Sequence, residues 1–454
     1  MDRNYIYHES TTSICPKCLK VIPTKIVIKD EKVFLHKFCK EHGLQEELFE
    51  ENVEYHLSKR EFDKPGTPCK TQTITEKGCP FDCGLCPQHD QHTCIALIEV
   101  TNKCNLGCPT CYANSGKGEP LAVAKISEML DFLVDSEGGE SEILQISGGE
   151  PTVHPEIIEI IKTAREKKIK YIMLNTNGIR IAEDEEFVKE LSQFKGKFEV
   201  YLQFDGFDKS TYTHLRGRDL LETKLKAIEN LRKYEIPITL VTTLDKGYND
   251  DQIGKIIEFG TETKGIRGIN FQPVTYFGRL REINTKNRLT LSGVIKKIEE
   301  QAPDLFQKGD IIPLPCNVER VAVTYMVKSD KKKFVPITRK IKVKSYLPLI
   351  DNTFAFDADR ILKEKSNEVF SGIGGCNCTN FIKDVKNIIP ASFLLKSQEE
   401  KIKYIDENTF RISVTSFIDV YNFDMKSMQK ECVHIITPEL KKIPFSAYNM
   451  FHRK

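Results

Sequence analysis

From residue 95 onward the chain alternates between two hydrophobic periods. "IALIEV" (95–100) is a continuous apolar run of buried-strand length, and "AKISEMLDFLVDSEG" after it spaces its apolar residues three and four apart, as one face of a helix does. The pair of signals recurs as "ILQIS" then "PEIIEIIKTAREKK", "YIMLNTN" then "EEFVKELSQF", "FEVYLQF" then "LLETKLKAIENLRKY", and "PITLVTT" then "DDQIGKIIEFGTETK". "GINFQP" closes the series. Six strands alternating with five helices predict an α/β fold with a parallel sheet and crossover helices, curled into a partial barrel or laid out as a doubly wound sheet.

The two ends of the chain follow other patterns. Near the start, "TKIVI" and "KVFLH" form a hairpin-like pair joined by the polar turn "KDE". After about residue 275 the periodicity weakens. The basic stretch "KSDKKKFVPITRKIKVKSY" (328–346) predicts a solvated hairpin or a surface patch, and "TFRISVTSFIDVYNFDMKSMQKECVH" a strand followed by a helix. The expected organisation is a small metal-binding module (1–60), a cysteine-rich segment (61–94), the alternating domain (95–275) and a C-terminal α+β domain (276–454).

Composition changes this picture through one residue type. The 40% hydrophobic and 29% charged fractions are ordinary for a globular protein. With 67 basic against 65 acidic residues, the net charge of +2 gives no field that would select nucleic acid as a partner. No secretory pattern opens the chain and no apolar run approaches 18 residues, so the expected location is the cytoplasm, with at most peripheral membrane contact. Fifteen cysteines then need another explanation. A reducing compartment disfavours disulfides, and clustered thiols read first as metal ligands.

The thiols fall into groups. Cys15 and Cys18, with Cys39 and His42 beyond the hairpin, give two short knuckles and four convergent donors, the arrangement of zinc ribbons and rubredoxin-like sites; zinc and mononuclear iron both suit it. In "KGCPFDCGLCPQHDQHTC", Cys79, Cys83, Cys86 and Cys94 can enclose a complete [4Fe–4S] cluster, or zinc with His89 and His92 as further ligands. Cys104, Cys108 and Cys111 leave the C-terminal end of the first strand, which is where parallel α/β folds bind ligands. Three thiolates hold three irons of a cubane and leave the fourth open to a small molecule. Late in the chain Cys316, Cys376, Cys378 and Cys432 suffice for one further cluster, or are buried free thiols.

The C-x3-C-x2-C spacing, with Tyr112 beside the last cysteine, resembles the radical S-adenosylmethionine enzymes. The resemblance implies a partial (β/α)6 barrel and a [4Fe–4S] cluster on Cys104, Cys108 and Cys111. It implies S-adenosylmethionine chelated to the open iron, and reductive cleavage to methionine and a 5′-deoxyadenosyl radical. An electron donor such as a ferredoxin or flavodoxin goes with it. "SGGEP" resembles the family's motif for the methionine amine, with Gly148 and Gly149 for close approach, Glu150 as a carboxylate for the ammonium and Pro151 closing the turn. "NTNG" (Asn175, Asn177), "LQFDG" (Gln203, Asp205) and "GINFQP" (Gln272) end later strands at the same mouth, the last resembling the motif that flanks the adenine. His154 and His214, also near this mouth, read as structural or surface groups.

A narrower resemblance covers residues 10 to 450. "GCPFDCGLCPQHDQHTC" followed by "IEVTNKCNLGCPTCYA", the flanking "CPKC…CKEHG" and the "PLPC" turn at 313–316 are similar to the archaeal tetraether lipid synthases, a group that overlaps the pterin-methylating radical enzymes of methanogens. It implies mononuclear iron at Cys15, Cys18, Cys39 and His42, and a cluster at Cys79, Cys83, Cys86 and Cys94. Its first functional implication is carbon–carbon coupling of lipid alkyl chains into tetraether or macrocyclic lipids; the alternative is methylation of a pterin precursor or modification of another small molecule. The late cysteines depart from the group's pattern: no second cysteine follows "PLPC", and Glu431 and Ser446 stand where cysteines are expected. Lipid coupling would call for an apolar groove, with runs such as "SFLLKS" (392–397) contributing and the basic stretch resting on anionic headgroups. A small-molecule reaction would call for a compact polar mouth.

Overall fold

The computed structural model describes residues 4–67, 70–280, 283–329, 333–347 and 396–453. Cys69, Cys376, Cys378 and most of "SFLLKS" lie outside the described residues.

The first module is an antiparallel meander of β1 (Ile6–Ile14), β2 (Val21–Lys29), β3 (Lys32–Cys39) and β4 (Gly43–Glu50). The "KDE" turn works because Asp30 and Glu31 both take positive φ (49° and 56°), the two-residue geometry whose twist matches the strands it joins. Its own apolar clusters are small, Ile26, Val33, Leu35 and Phe49 in one and Ile22 among the cysteines in another. So few apolar side chains do not hold a module of this size without a further staple.

The short helix α1 (Val53–Ser58) leads to the main body. Six parallel strands, β5 (Ile95–Glu99), β6 (Ser141–Ser147), β7 (Ile169–Thr176), β8 (Phe198–Gln203), β9 (Ile238–Leu244) and β10 (Ile266–Pro273), stand side by side in chain order. Between them run α2 (Val123–Ser136), α3 (Ile157–Glu166), α4 (Ile179–Glu183), α5 (Glu185–Leu191), α6 (Lys209–Arg216), α7 (Leu221–Lys233) and α8 (Ile253–Glu262); α9 (Leu291–Gln301) follows the last strand. The helices bury a stripe each; in α3 it is Ile157, Ile160, Ile161 and Ala164, the i, i+3, i+4, i+7 positions. These meet Ala96, Ile98, Leu144, Ile146, Ile172, Leu174, Val200 and Leu202 from one face of the sheet. Each such side chain contributes about 1.5–3 kcal/mol on burial.

The C-terminal region does not form a layer of its own. Strand β14 (Thr409–Thr415) joins β10 in parallel, with Ile269 opposite Ile412, and β15 (Val433–Ile436) joins β5 in parallel, with Leu97 opposite Ile435. Beyond β14 lie β12 (Val321–Lys328), β11 (Ile312–Pro313) and β13 (Phe334–Pro336); beyond β15 lies β16 (Lys442–Pro444). Of the β12–β13 pair only β13 and the last residue of β12 fall in the basic stretch, and β12 itself is mostly buried. The sheet curls until its ends meet. Leu314, Val321 and Val323 from one end pack in one cluster with Ile95, Leu97 and Val433 from the other, and Cys316 lies 3.9 Å from Cys432. This is the α/β partial barrel that the alternation predicts, with the ribbon ahead of it. Among the described residues no helix is long and apolar enough to cross a membrane.

Candidate active site

The loop that leaves β5 carries Cys104, Cys108 and Cys111, all partly exposed, and is gripped from two sides. From the β6 side, Gly149 N–H donates to Thr101 O (2.8 Å) and Glu150 N–H to Lys103 O (2.9 Å). A Cβ on Gly149 would lie 2.3 Å from Lys103 O and 2.7 Å from Asn102 O, so the "GG" pair serves the approach of two backbones to each other. From the β10 side, Arg279 donates from its backbone to Cys111 O (3.0 Å) and from Nη1 to Cys108 O (3.3 Å). Gly278, at φ +57°, has Cys111 O where a Cβ would collide at 2.3 Å. Burial pushes the Cys104 thiol up to about 11, against a hydrogen bond from Leu106 N–H. Three clustered thiols on a shaped, clamped loop fit a cubane with one open iron.

Glu150 is buried, and its carboxylate is already occupied. Oε1 accepts from Thr152 N–H (3.1 Å), Thr152 Oγ1 (2.6 Å) and Thr176 Oγ1 (2.7 Å), and Oε2 accepts from Asn177 N–H (2.7 Å). The expectation of a carboxylate aimed chiefly at a ligand ammonium is therefore corrected: Glu150 ties the end of β6 to the end of β7, and Oε2 alone has clear capacity left. Pro151 opens the 3-10 turn Pro151–Val153 that supplies two of these donors.

The other strand ends converge as expected. Asn177 donates from Nδ2 to Asn105 in the cysteine loop (2.7 Å) and caps Ile179 N–H (3.0 Å). Asp205 makes a bidentate pair with Arg216 (2.6 and 2.7 Å), both buried. Gln203, its carbonyl oxygen turned toward Arg216, accepts from both guanidinium nitrogens at 2.8 and 3.1 Å. The fully buried Lys224 donates to Asn177 O, and burial, opposed by Asp205, holds it down at about 8. Tyr112 packs on Phe445 at 5.2 Å, and Arg453 joins it by pairing with Glu99 (2.6 and 3.0 Å). Burial holds the Tyr112 hydroxyl up at about 12.

Below these ends the concave face of the sheet is rich in amides. Asn175 Nδ2 donates to Gln145 Oε1 (3.1 Å), Gln272 Nε2 to Tyr201 Oη (3.4 Å), and Asn270 Nδ2 also to Tyr201. Asn175 Oδ1 is buried with no hydrogen-bond partner among the described residues. Arg216, Lys224, Arg279 and Arg453 were not singled out by the sequence. Each stands close in sequence to another basic residue, and only burial or a distant partner marks it. His154, whose Nε2–H donates to Leu121 O (2.9 Å), and His214, paired with Asp245 (2.8 Å), hold structure, as expected.

The remaining thiols sort differently from their spacing. In the ribbon, Cys15, Cys18, Cys39 and His42 present donor atoms all within 4.8 Å of one another. Burial pushes the Cys15 thiol up, but Gln45 Nε2 and the backbone N–H groups of Cys18 and Lys17 outweigh it and bring it to about 6, suited to binding a cation as thiolate. Cys79, Cys83 and Cys86 line one small pocket together with His89. Burial holds Cys79 up at about 12 and raises Cys83 well above the ordinary thiol range, so these thiols ionise only against a metal. Cys94 is not with them: it starts β5, and its neighbours are Cys316 and Cys432. The expected quartet of Cys79, Cys83, Cys86 and Cys94 is corrected accordingly: Cys94 leaves it, because the strand pairing of β5 with β15 pulls Cys94 to Cys432 (N–H to O, 3.0 Å). Cys316 and Cys432 do meet, as one expected late set required; Cys376 and Cys378 lie outside the described residues.

A three-thiol loop over the carboxyl ends of a six-stranded parallel barrel defines a radical S-adenosylmethionine enzyme, and residues 98–260 match the Radical SAM superfamily. Residues 7–51 match the HMPTM N-terminal zinc ribbon domain. The chain is 34% identical to the 7,8-dihydro-6-hydroxymethylpterin dimethyltransferase of Methanocaldococcus jannaschii, across 98% of this chain and 94% of that protein, and it belongs to the family of that enzyme. It is 30% identical to a probable GTP 3′,8-cyclase of Pyrococcus abyssi, across 37% of this chain and 53% of that one. The structure of Streptococcus suis SuiB bound to S-adenosylmethionine superposes with a TM-score of 0.39 and 19% identity, over 46% of this chain and 47% of that one. Enzymes of this superfamily use S-adenosylmethionine and a [4Fe–4S] cluster, and they draw on an electron donor. The Methanocaldococcus relative is named for pterin dimethylation, not for the lipid coupling that the sequence put first.

Proposed function

We propose that this enzyme methylates a reduced pterin precursor. The observation that carries the reading is the amide-lined concave face: Gln145, Asn175, Asn270 and Gln272 with Tyr201, and the unpartnered buried Oδ1 of Asn175. A pterin is a flat ring system with alternating donors and acceptors, and it satisfies such groups. An alkyl chain in the same place leaves Asn175 Oδ1 without a partner, at a cost of about 1–3 kcal/mol. The relationship to the pterin dimethyltransferase supports the same choice.

The chain's own residues have separable tasks. Cys104, Cys108 and Cys111 would hold the cluster, which with S-adenosylmethionine supplies the radical chemistry. The strand ends at Gly148 to Pro151, Asn175 and Asn177, Gln203 and Asp205, and Gln272 would shape the cofactor's bed. Glu150, Asp205–Arg216 and Lys224 keep that bed rigid, as tightly held side chains do in preorganised sites. Tyr112, Phe445 and the Arg453–Glu99 pair exclude water on the β5 side.

The test is turnover of anaerobically purified, full-length enzyme with S-adenosylmethionine, a low-potential reductant and either 7,8-dihydro-6-hydroxymethylpterin or an archaeol-type lipid. Pterin product carrying a new carbon-bound methyl is expected. Coupled lipid with untouched pterin would overturn the proposal.

A further inference from the structure

Cys94, Cys316 and Cys432 come from three remote parts of the chain and are wholly buried. Their sulfur atoms all lie within 4.8 Å of one another, with Cys316 and Cys432 at 3.9 Å. His92 Nε2 is 3.9 Å from Cys94 Sγ, and Glu142 stands beside it with Oε1 at 3.5 Å. Glu142 Oε2 is buried and has no hydrogen-bond partner among the described residues. Gln91 fixes the other ring nitrogen of His92 at 2.9 Å.

The spacing of these donors says what they would hold. Around one tetrahedral metal with metal–sulfur bonds of about 2.3 Å, the sulfur–sulfur edge is about 3.8 Å. The ribbon shows that scale, with Cys18 to Cys39 at 3.8 Å. A cubane sets its thiolates on different irons and so further apart. Accordingly Cys104, Cys108 and Cys111 are not among the sets that close to within 4.8 Å, whereas Cys94, Cys316 and Cys432 are. We propose that Cys94, Cys316, Cys432 and His92 form a second mononuclear site for a zinc-like divalent cation, not an iron–sulfur cluster. Gln91, on the ring nitrogen away from the metal, then orients His92, and Glu142, on the metal's side of the ring, balances the charge.

The location gives the site its purpose. Cys94 precedes β5, Cys432 precedes β15, and Cys316 follows β11 at the opposite end of the strand order. The metal would bolt the barrel seam where the two ends of the sheet meet. It would do so at the amino end of β5, about 16 Å from the radical site for five residues at roughly 3.3 Å each. At that distance it serves the fold, with no part in the bonds being made.

The test uses full-length protein purified without oxygen, with metal and acid-labile sulfide counted per chain. Cys316→Ser and Cys432→Ser should each lose one mononuclear metal with sulfide unchanged. A fall of four sulfides per chain would mean a cubane and overturn the proposal, as would no change in metal or sulfide. Should the serine variants fail to fold, the double variant Cys15→Ser/Cys18→Ser decides the matter with the seam intact. Loaded with cobalt(II), it should keep the visible bands of one tetrahedral thiolate site, and His92→Gln on that background should shift them. Absence of any such band would sink the idea.

Discussion

Replacing Glu150 by glutamine separates a structural carboxylate from a ligand-binding one. In the enzyme the side chain accepts four hydrogen bonds, three at Oε1 and one at Oε2. A glutamine keeps its carbonyl oxygen where the three donors converge, and its NH2 then faces Asn177 N–H. One charge-assisted hydrogen bond is lost, worth about 1.5–3 kcal/mol, and a buried N–H is left unsatisfied, so about 3 kcal/mol of local stability goes with it. The other three bonds also weaken as their acceptor loses its charge. Glu150→Gln should therefore show a lower denaturant midpoint for the barrel transition. Its affinity for S-adenosylmethionine, measured by calorimetry on cluster-loaded protein at a temperature where the fold is intact, should fall less than tenfold. An unchanged midpoint with a tenfold or greater loss of affinity would refute the reasoning and return Glu150 to the ligand's ammonium.

Three further outcomes follow from the same geometry. Gly149→Ala drives a Cβ into Lys103 O at 2.3 Å, so the cysteine loop must move; the expected cost is about 1–3 kcal/mol, with faster loss of cluster iron to a chelator. Asp205→Asn leaves the Arg216 guanidinium buried without its counter-ion and should cost about 3–5 kcal/mol. Removing both charges with Arg216→Met should recover part of that in a double-mutant cycle. Lys224, held at about 8, binds fewer protons folded than unfolded between that value and the ordinary lysine range, so stability should rise with pH across the window. Lys224→Met should flatten the rise, and an unaltered slope of unfolding free energy against pH would contradict the assignment.

Most of the barrel was legible because each element is a single period: the strand runs and helical stripes from 95 to 273 need no distant partner to be seen. Strand β1 escaped because "YHESTTS" is polar and half-exposed, and it pairs only once β2 is in place. Helix α4 escaped for want of length, and α6 because "KSTYTHLR" is too polar to show an apolar stripe. The joining of β14 and β15 to opposite edges is a non-local pairing between segments of seven and four residues, which no local pattern encodes. The same limit governed the site. Local cysteine spacing is enough to pick out the 104–111 loop, whose three thiols need no distant partner to be seen. It misassigned Cys94, whose partners lie far along the chain at Cys316 and Cys432. Glu150 read as a ligand group because its donors Thr176 and Asn177 arrive from the next strand.

The late position of β14 and β15 also sets the order of events at the ribosome. The helices and six strands of the barrel emerge with both sheet edges, β5 and β10, bare of partners. Those edges stay available for wrong pairing until residues 409–436 have been made. Translation arrested or truncated before that point leaves a nearly complete barrel with two open borders, a species for holdase chaperones or aggregation rather than a smaller working enzyme. A C-terminal tag that slows release of the last strands should lower soluble yield more than the same tag placed ahead of the ribbon.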